Sequence, residues 1–229
     1  MARPDRLDYA LFDFDGVIAD TEPLYLEADR RALAAFGYEP TEAELHAFIG
    51  HPSERMAPAL LAEHDIFATP EDFLAVRNVT RDIYGNPELG PTPGLAALWR
   101  TLKDLGAQVA VVSSSRVADL VLALERFGLL GEVDVIVGRE YVERTKPAPD
   151  PYLRALGFLA PGREASAAAA HAIAVEDSPA GIASARAAHI HVIGFAGSDV
   201  AQDTSEANEV ADSLVHLAHS LSERYGAAR

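Results

Sequence analysis

Two aspartates stand one residue apart in the stretch "ALFDFDGVIADTEPLY", residues 10–25: an apolar run ends in Asp13 and Asp15, and Gly16 follows. In extended chain of period two, both carboxylates point to one side, and like charges that close repel unless a cation lies between them. Hard oxygen donors of this kind suit Mg²⁺, which takes one or two carboxylates, keeps several waters and holds the phosphate of a substrate. The pair therefore suggests metal-assisted phosphoryl chemistry at the carboxyl end of a strand. Asp-Gly after a strand is also ordinary turn chemistry, so the rest of the chain has to decide.

The elements that must position these residues are legible in the apolar pattern. Tyr25, Ala28, Ala32 and Phe36 recur at helical spacing with Gly37 after them. Helical patterns continue through "TEAELHAFIG", "PSERMAPALLAEHD" and "PEDFLAVRNVTRDIYG", and no alternating strand pattern interrupts them before residue 90. Beyond "GNPELGPTPG" the pattern becomes helix followed by a short β-branched run. "LAALWRTLKDLG" precedes "AQVAVVSSS", "VADLVLALERFGLL" precedes "EVDVIVG", "DPYLRALGF" precedes "HAIAVEDS", and "AGIASARAA" precedes "HIHVIGF". Such alternation predicts an α/β fold with a doubly wound parallel sheet covered by helices on both faces. An all-helical unit, residues 17–88, is expected as an insertion into a core made of residues 1–16 and 89–229. The Ala-rich residues 164–170 could extend a helix or form a loop, and the last stretch reads as a C-terminal helix.

In an open parallel sheet, ligands bind outside the carboxyl ends of the strands. At those ends this chain places Ser113-Ser114-Ser115, Lys146 in "TKPAPDPY", and Glu176-Asp177-Ser178. A Ser hydroxyl and the backbone N–H groups after it can cradle phosphate oxygens, although a serine there is also a common helix cap. Lys146 is one of only two lysines, the other being Lys103. It can offset the charge of both phosphate and nucleophile. Glu176 and Asp177 complete an oxygen shell for Mg²⁺ that Asp13 and Asp15 begin.

Taken together, "DFDGVIADT", Ser113, Lys146 in "TKPAPDPY" and "VEDSPAGI" resemble, in order and spacing, the four motifs of the haloacid dehalogenase superfamily, in the style of its β-phosphoglucomutase-like branch. The resemblance spans the chain and includes a helical cap between the first and second motifs. It implies a Rossmann-like core, a Mg²⁺ cofactor and a phosphatase acting on a small phosphorylated metabolite, a sugar phosphate or a compound like phosphoglycolate. Asp13 would be the nucleophile and form an aspartyl phosphate. Asp15 would be the general acid and base, with its backbone carbonyl on the metal. Ser113, Ser114 and Lys146 would bind phosphate, and Asp13, Asp15, Glu176 and Asp177 would form the metal site.

Departures within the sequence narrow the branch. Asp15 and the acidic pair distinguish it from the dehalogenases, and no lysine lies between residues 17 and 88 to serve as the Schiff base of the phosphonate-cleaving enzymes. Tyr25 stands where β-phosphoglucomutase carries a cap histidine, and "GHPSER" where its loop carries arginine. Both departures favour hydrolysis over sugar-phosphate mutase activity. His51 and Arg55 in that loop, with Tyr25, are the candidate substrate contacts; either loop residue could equally be a plain surface group. A phosphoacceptor signalling module uses a similar acidic cluster with Ser/Thr and Lys, but needs neither an inserted cap nor a second acid. The pair His189 and His191 falls at the beginning of a strand, away from the acidic residues, and reads as structural.

Composition bounds the rest. The chain has 229 residues, 49% of them hydrophobic, and a formal net charge of −16. That charge argues against nucleic-acid and anionic-membrane partners. The absence of cysteine excludes disulfides, thiolate metal sites and cysteine nucleophiles. "MARPDRLDYA" lacks the apolar centre of a signal peptide, so a cytoplasmic location is expected.

Overall fold

Short apolar runs, too continuous for a one-sided sheet, build the chain's sheet. The computed structural model describes residues 2–49, 53–77, 83–200 and 202–226. Among them, β1 (Tyr9–Phe12), β2 (Gln108–Val112), β3 (Val135–Val137), β4 (Ala172–Glu176), β5 (His191–Phe195) and β6 (Glu209–Ala211) form one sheet. Their order is β3-β2-β1-β4-β5-β6, and every pair is parallel. Leu11 lies opposite Ala110 on one side and Ala174 on the other. All residues of β1, β4 and β5 are buried, as a parallel sheet covered on both faces requires. The strand order reverses beside β1, which makes the carboxyl edge near β1 and β4 the topological switch point.

Helices α5 (Leu95–Asp104), α6 (Val117–Arg126), α7 (Asp150–Leu159), α8 (Ala165–Ala169), α9 (Pro179–Ala187) and α10 (Leu214–Tyr225) belong to this unit, which joins residues up to 20 with those from 87 onward. Leu11, Ala110, Val112, Ala174 and Val192 share one buried cluster with Tyr152, Leu156 and Ile182 of α7 and α9. Phe12, turned the other way, meets Trp99 of α5 edge to face at 5.9 Å. The Ala-rich stretch becomes α8, whose Ala168 and Ala169 are buried against the first cluster. The sixth strand has no counterpart in the sequence reading. It is three residues long at the sheet edge, and its one β-branched residue, Val210, is 57% exposed, so it lacks the apolar run by which buried strands announce themselves.

The second unit, residues 21–86, is helical: α1 (Glu22–Ala35), α2 (Glu42–His46), α3 (Ser53–Glu63) and α4 (Pro70–Arg77). Its core is Ala32, Leu33, Leu45, Phe48, Ala57, Leu61, Ala68 and Phe73, with Phe36 stacked on Phe73. Thr41 and Glu44 form a reciprocal capping box that starts α2. Buried Asp29 pairs with Arg77 and accepts a hydrogen bond from Ser53 Oγ at 2.8 Å, which ties α1, α3 and α4 together. Because Phe73 is fully buried in so small a core, Phe73→Ala is expected to destabilise this unit by about 3–5 kcal/mol. Urea unfolding of the full chain checks this; an unchanged midpoint would show that the cluster does not hold the unit together.

Candidate active site

Asp13 follows directly on β1. Its backbone N–H donates to Val175 O at 3.0 Å, so β4 fixes the residue from the neighbouring strand. Its carboxylate is nearly buried. Oδ1 accepts the Phe14 N–H at 2.8 Å and lies 2.8 Å from Lys146 Nζ. No other hydrogen bond reaches this carboxylate among the described residues, so Oδ2 stays available.

The period-two geometry expected of Asp13 and Asp15 lapses here, because the strand ends at Phe12 and the chain turns at once. The Ile18 and Ala19 N–H groups both donate to Phe14 O, and Gly16 adopts φ +79°. Asp15 thereby faces β2's carboxyl end, where Oδ2 accepts the Ser115 hydroxyl at 3.0 Å and the Ser113 hydroxyl at 3.3 Å. Ser113 Oγ in turn accepts the Ser115 N–H at 3.0 Å. Ser114 is exposed, and its N–H has no acceptor among the described residues.

Lys146, from the loop before α7, spans the site. Its Nζ contacts Asp13 Oδ1 and, at 2.5 Å, Glu176 Oε1. It also lies 5.4 Å from the centre of the Tyr152 ring. Glu176 ends β4, is fully buried, and accepts a further hydrogen bond from the Tyr152 hydroxyl on Oε1. Asp177 is buried beside it, and Gln202 Nε2 donates weakly to its Oδ2 at 3.4 Å. Carboxylate oxygens of Asp13, Glu176 and Asp177 lie within 4.8 Å of one another. The carboxylate of Asp15 is outside that group.

Three buried carboxylates against one ammonium leave excess negative charge. Burial, then the charge of Glu176, pushes Asp13 up to about 7 despite Lys146. Burial and the charges of Asp13 and Glu176 push Asp177 up to about 9. For Lys146 burial acts downward, but the two acids outweigh it and hold the ammonium above its ordinary value. A cation would relieve that excess. Glu176 Oε2 is buried with no hydrogen-bond partner among the described residues, and every donor is a hard oxygen of the kind Mg²⁺ takes. Backbone room is reserved around it: a Cβ on Gly16 would fall 1.9 Å from Asp177 Oδ2, and one on Gly181 would fall 1.9 Å from Glu176 Oε2. The residues present therefore fit a divalent cation.

The structure thus brings Asp13, Lys146, Glu176 and Asp177 together, with Asp15, Ser113 and Ser114 at the same sheet edge. Tyr25 and Arg55 belong to the helical unit. Tyr25 has its hydroxyl 3.2 Å from that of Tyr84 and the Arg77 guanidinium 5.2 Å over its ring, whereas Arg55 is exposed in the first turn of α3. His51 lies outside the described residues. His191, at the amino end of β5, contacts Glu209 at 3.1 Å. Sequence reasoning assigned no role to Tyr152, Ser115 or Gln202. Ser115 had a signal, its period-two spacing from Ser113; Tyr152 occupies an apolar helix position and carried none.

The model of the family described as haloacid dehalogenase-like hydrolase matches residues 10–195. Hexitol phosphatase A of Escherichia coli is 31% identical, over 90% of this chain and 89% of that protein. A phosphorylated carbohydrates phosphatase of Thermotoga maritima is 28% identical, over 82% of this chain and 84% of that one. The crystal structure of a hydrolase of the same family from Deinococcus radiodurans, with bound phosphate and sodium, superimposes with a TM-score of 0.77 at 27% identity, covering 96% of this chain and 97% of that one.

Two outcomes follow from the crowding of charge. Raised acid pKa values mean that the folded, metal-free chain binds more protons than the unfolded one. The stabilising contribution is therefore present below the ordinary value near 3.8 and is lost as pH rises through 7 and then 9. Denaturation midpoints of the metal-free chain are expected to fall from about pH 5 to 9, and Mg²⁺ to flatten that slope by replacing the protons. A slope identical with and without Mg²⁺ would contradict the charge assignment. Gly16→Ala forces a side chain into both a left-handed backbone and Asp177; it should cost at least about 1–2 kcal/mol of stability and weaken Mg²⁺ binding, as denaturation and calorimetric titration would show.

Proposed function

Because the chain belongs to the haloacid dehalogenase-like hydrolase family, we propose that it is a Mg²⁺-dependent phosphatase that hydrolyses a small phosphate monoester through an aspartyl phosphate on Asp13. The observation that carries this reading is the division of labour at Asp13: Lys146 and the Phe14 N–H engage Oδ1, and Oδ2 is left for attack. The relatives named hexitol phosphatase and phosphorylated carbohydrates phosphatase support a phosphorylated polyol or sugar as substrate.

Asp13, Glu176 and Asp177, with the backbone carbonyl of Asp15, would hold Mg²⁺, which when bound supplies Lewis-acid neutralisation of the phosphoryl oxygens. Lys146 orients Asp13 and lowers the electrostatic cost of bringing an anionic phosphate to an anionic nucleophile. The Ser114 N–H would donate to a phosphate oxygen. As Asp13 Oδ2 forms its bond to phosphorus, the ester P–O bond breaks and Asp15 gives its proton to the leaving oxygen. Asp15 then takes a proton from the water that attacks the acyl phosphate; phosphate leaves and Asp13 is regenerated. The hydroxyls of Ser113 and Ser115 hold Asp15 in place for both transfers.

Phosphate release from a panel of hexitol phosphates, sugar phosphates and phosphoglycolate tests the reading. Turnover is expected with Mg²⁺ and none in EDTA; release that persists in EDTA would refute it. Asp13→Asn should abolish turnover. With p-nitrophenyl phosphate, whose leaving group needs little protonation, Asp15→Asn should give a burst of about one equivalent of nitrophenol and then slow by about 10²–10⁴-fold. Wild-type turnover of an alkyl phosphate by Asp15→Asn would remove Asp15 from the proton-transfer role.

A further inference from the structure

We propose that Tyr152 is a positioning residue for the metal-binding carboxylate: its phenol secures Glu176 Oε1 so that Oε2 is the oxygen presented for ligation. The proposal rests on the reading above in which Asp13, Glu176 and Asp177 hold Mg²⁺.

Glu176 has no contact with solvent, so every constraint on its carboxylate comes from its neighbours. Oε1 accepts two donors, Lys146 Nζ at 2.5 Å and the Tyr152 hydroxyl at 2.5 Å, which occupies both lone pairs of that oxygen. Oε2 accepts nothing among the described residues. Against this carboxylate stands Gly181, in the first turn of α9, where a Cβ would collide with both of its oxygens. One oxygen is tied by two donors, and the other has none among the described residues.

Lys146 cannot fix this orientation alone, because its ammonium is shared with Asp13. Among the described residues, Tyr152 donates to Glu176 and to no other carboxylate. It is itself immobile: it is fully buried on the first turn of α7, with its ring beside the Lys146 ammonium. The loop leading into α7 is fastened by the Ser184 hydroxyl, which donates to Ala148 O at 2.6 Å. Partners that orient a metal ligand in this way typically change metal affinity about 10–100-fold when removed.

Tyr152→Phe keeps the ring, its packing and its contact with Lys146, and deletes only the donor. In calorimetric titration of the full chain with Mg²⁺, we expect its dissociation constant to rise about tenfold or more over wild type. At saturating Mg²⁺, KM for the phosphate ester should stay near the wild-type value. Wild type and Glu176→Gln are titrated in parallel. An unchanged Mg²⁺ affinity in Tyr152→Phe, with Glu176→Gln weakened, overturns the positioning role and leaves the metal site standing. A wild-type chain that binds no Mg²⁺ removes the underlying reading, and the proposal falls with it. A second readout uses wild type alone, in case the variant does not fold. Mg²⁺ must perturb the ultraviolet absorption of a buried tyrosine when the carboxylate it serves is engaged, and a flat difference spectrum overturns the proposal.

Discussion

The contact of one ammonium with two buried carboxylates, Lys146 with Asp13 and Glu176, is the constraint on which the site depends. A third acid, Asp177, crowds the same volume. Removing charges from water costs several kcal/mol per ion even after relaxation, and one lysine cannot compensate three carboxylates. The excess is expressed as acids that hold their protons more tightly than usual. A divalent cation resolves the same conflict without protons, which is why this arrangement fits metal-dependent chemistry better than a structural ion-pair role.

Holding like charges together demands rigid supports, and the parallel sheet supplies them. Asp13 leaves β1 and Glu176 ends β4, adjacent strands in register from Tyr9 opposite Ala172 to Phe12 opposite Val175. Repulsion between the acids cannot push the strands apart, because each is hydrogen-bonded along its length and buried on both faces. Glycine provides the close approach that larger residues would deny: Gly16 lets the turn after Asp15 pass over Asp177, and Gly181 lets α9 begin against Glu176.

Asp13 and Asp15, neighbours in sequence, occupy different environments. Asp13 is set among acids and an ammonium, and Asp15 among hydroxyls. Two carboxylates separated in this way can divide nucleophilic and proton-transfer work, since each role asks for a different charge state at a different moment. The sharp turn at Gly16 produces the separation: it ends the period-two alternation that would have set both groups side by side.

Much of this was legible in the sequence by itself. Alternating helices and β-branched runs specified a parallel sheet, and acids, serine and lysine at strand ends could be expected to gather, because in that topology all carboxyl ends share one edge. Edge strand β6 was not legible, since three half-exposed residues carry no apolar run. Tertiary structure alone decided which oxygens meet. The carboxylates of Glu176 and Asp177, and not that of Asp15, cluster with Asp13; Ser115 joins Ser113 on Asp15; and Tyr152, placed by its apolar helix position, becomes a donor to Glu176. Periodicity tells which face of an element a side chain takes, whereas a hydrogen bond between residues on different strands and helices depends on packing distances of a few tenths of an ångström, which no local pattern encodes.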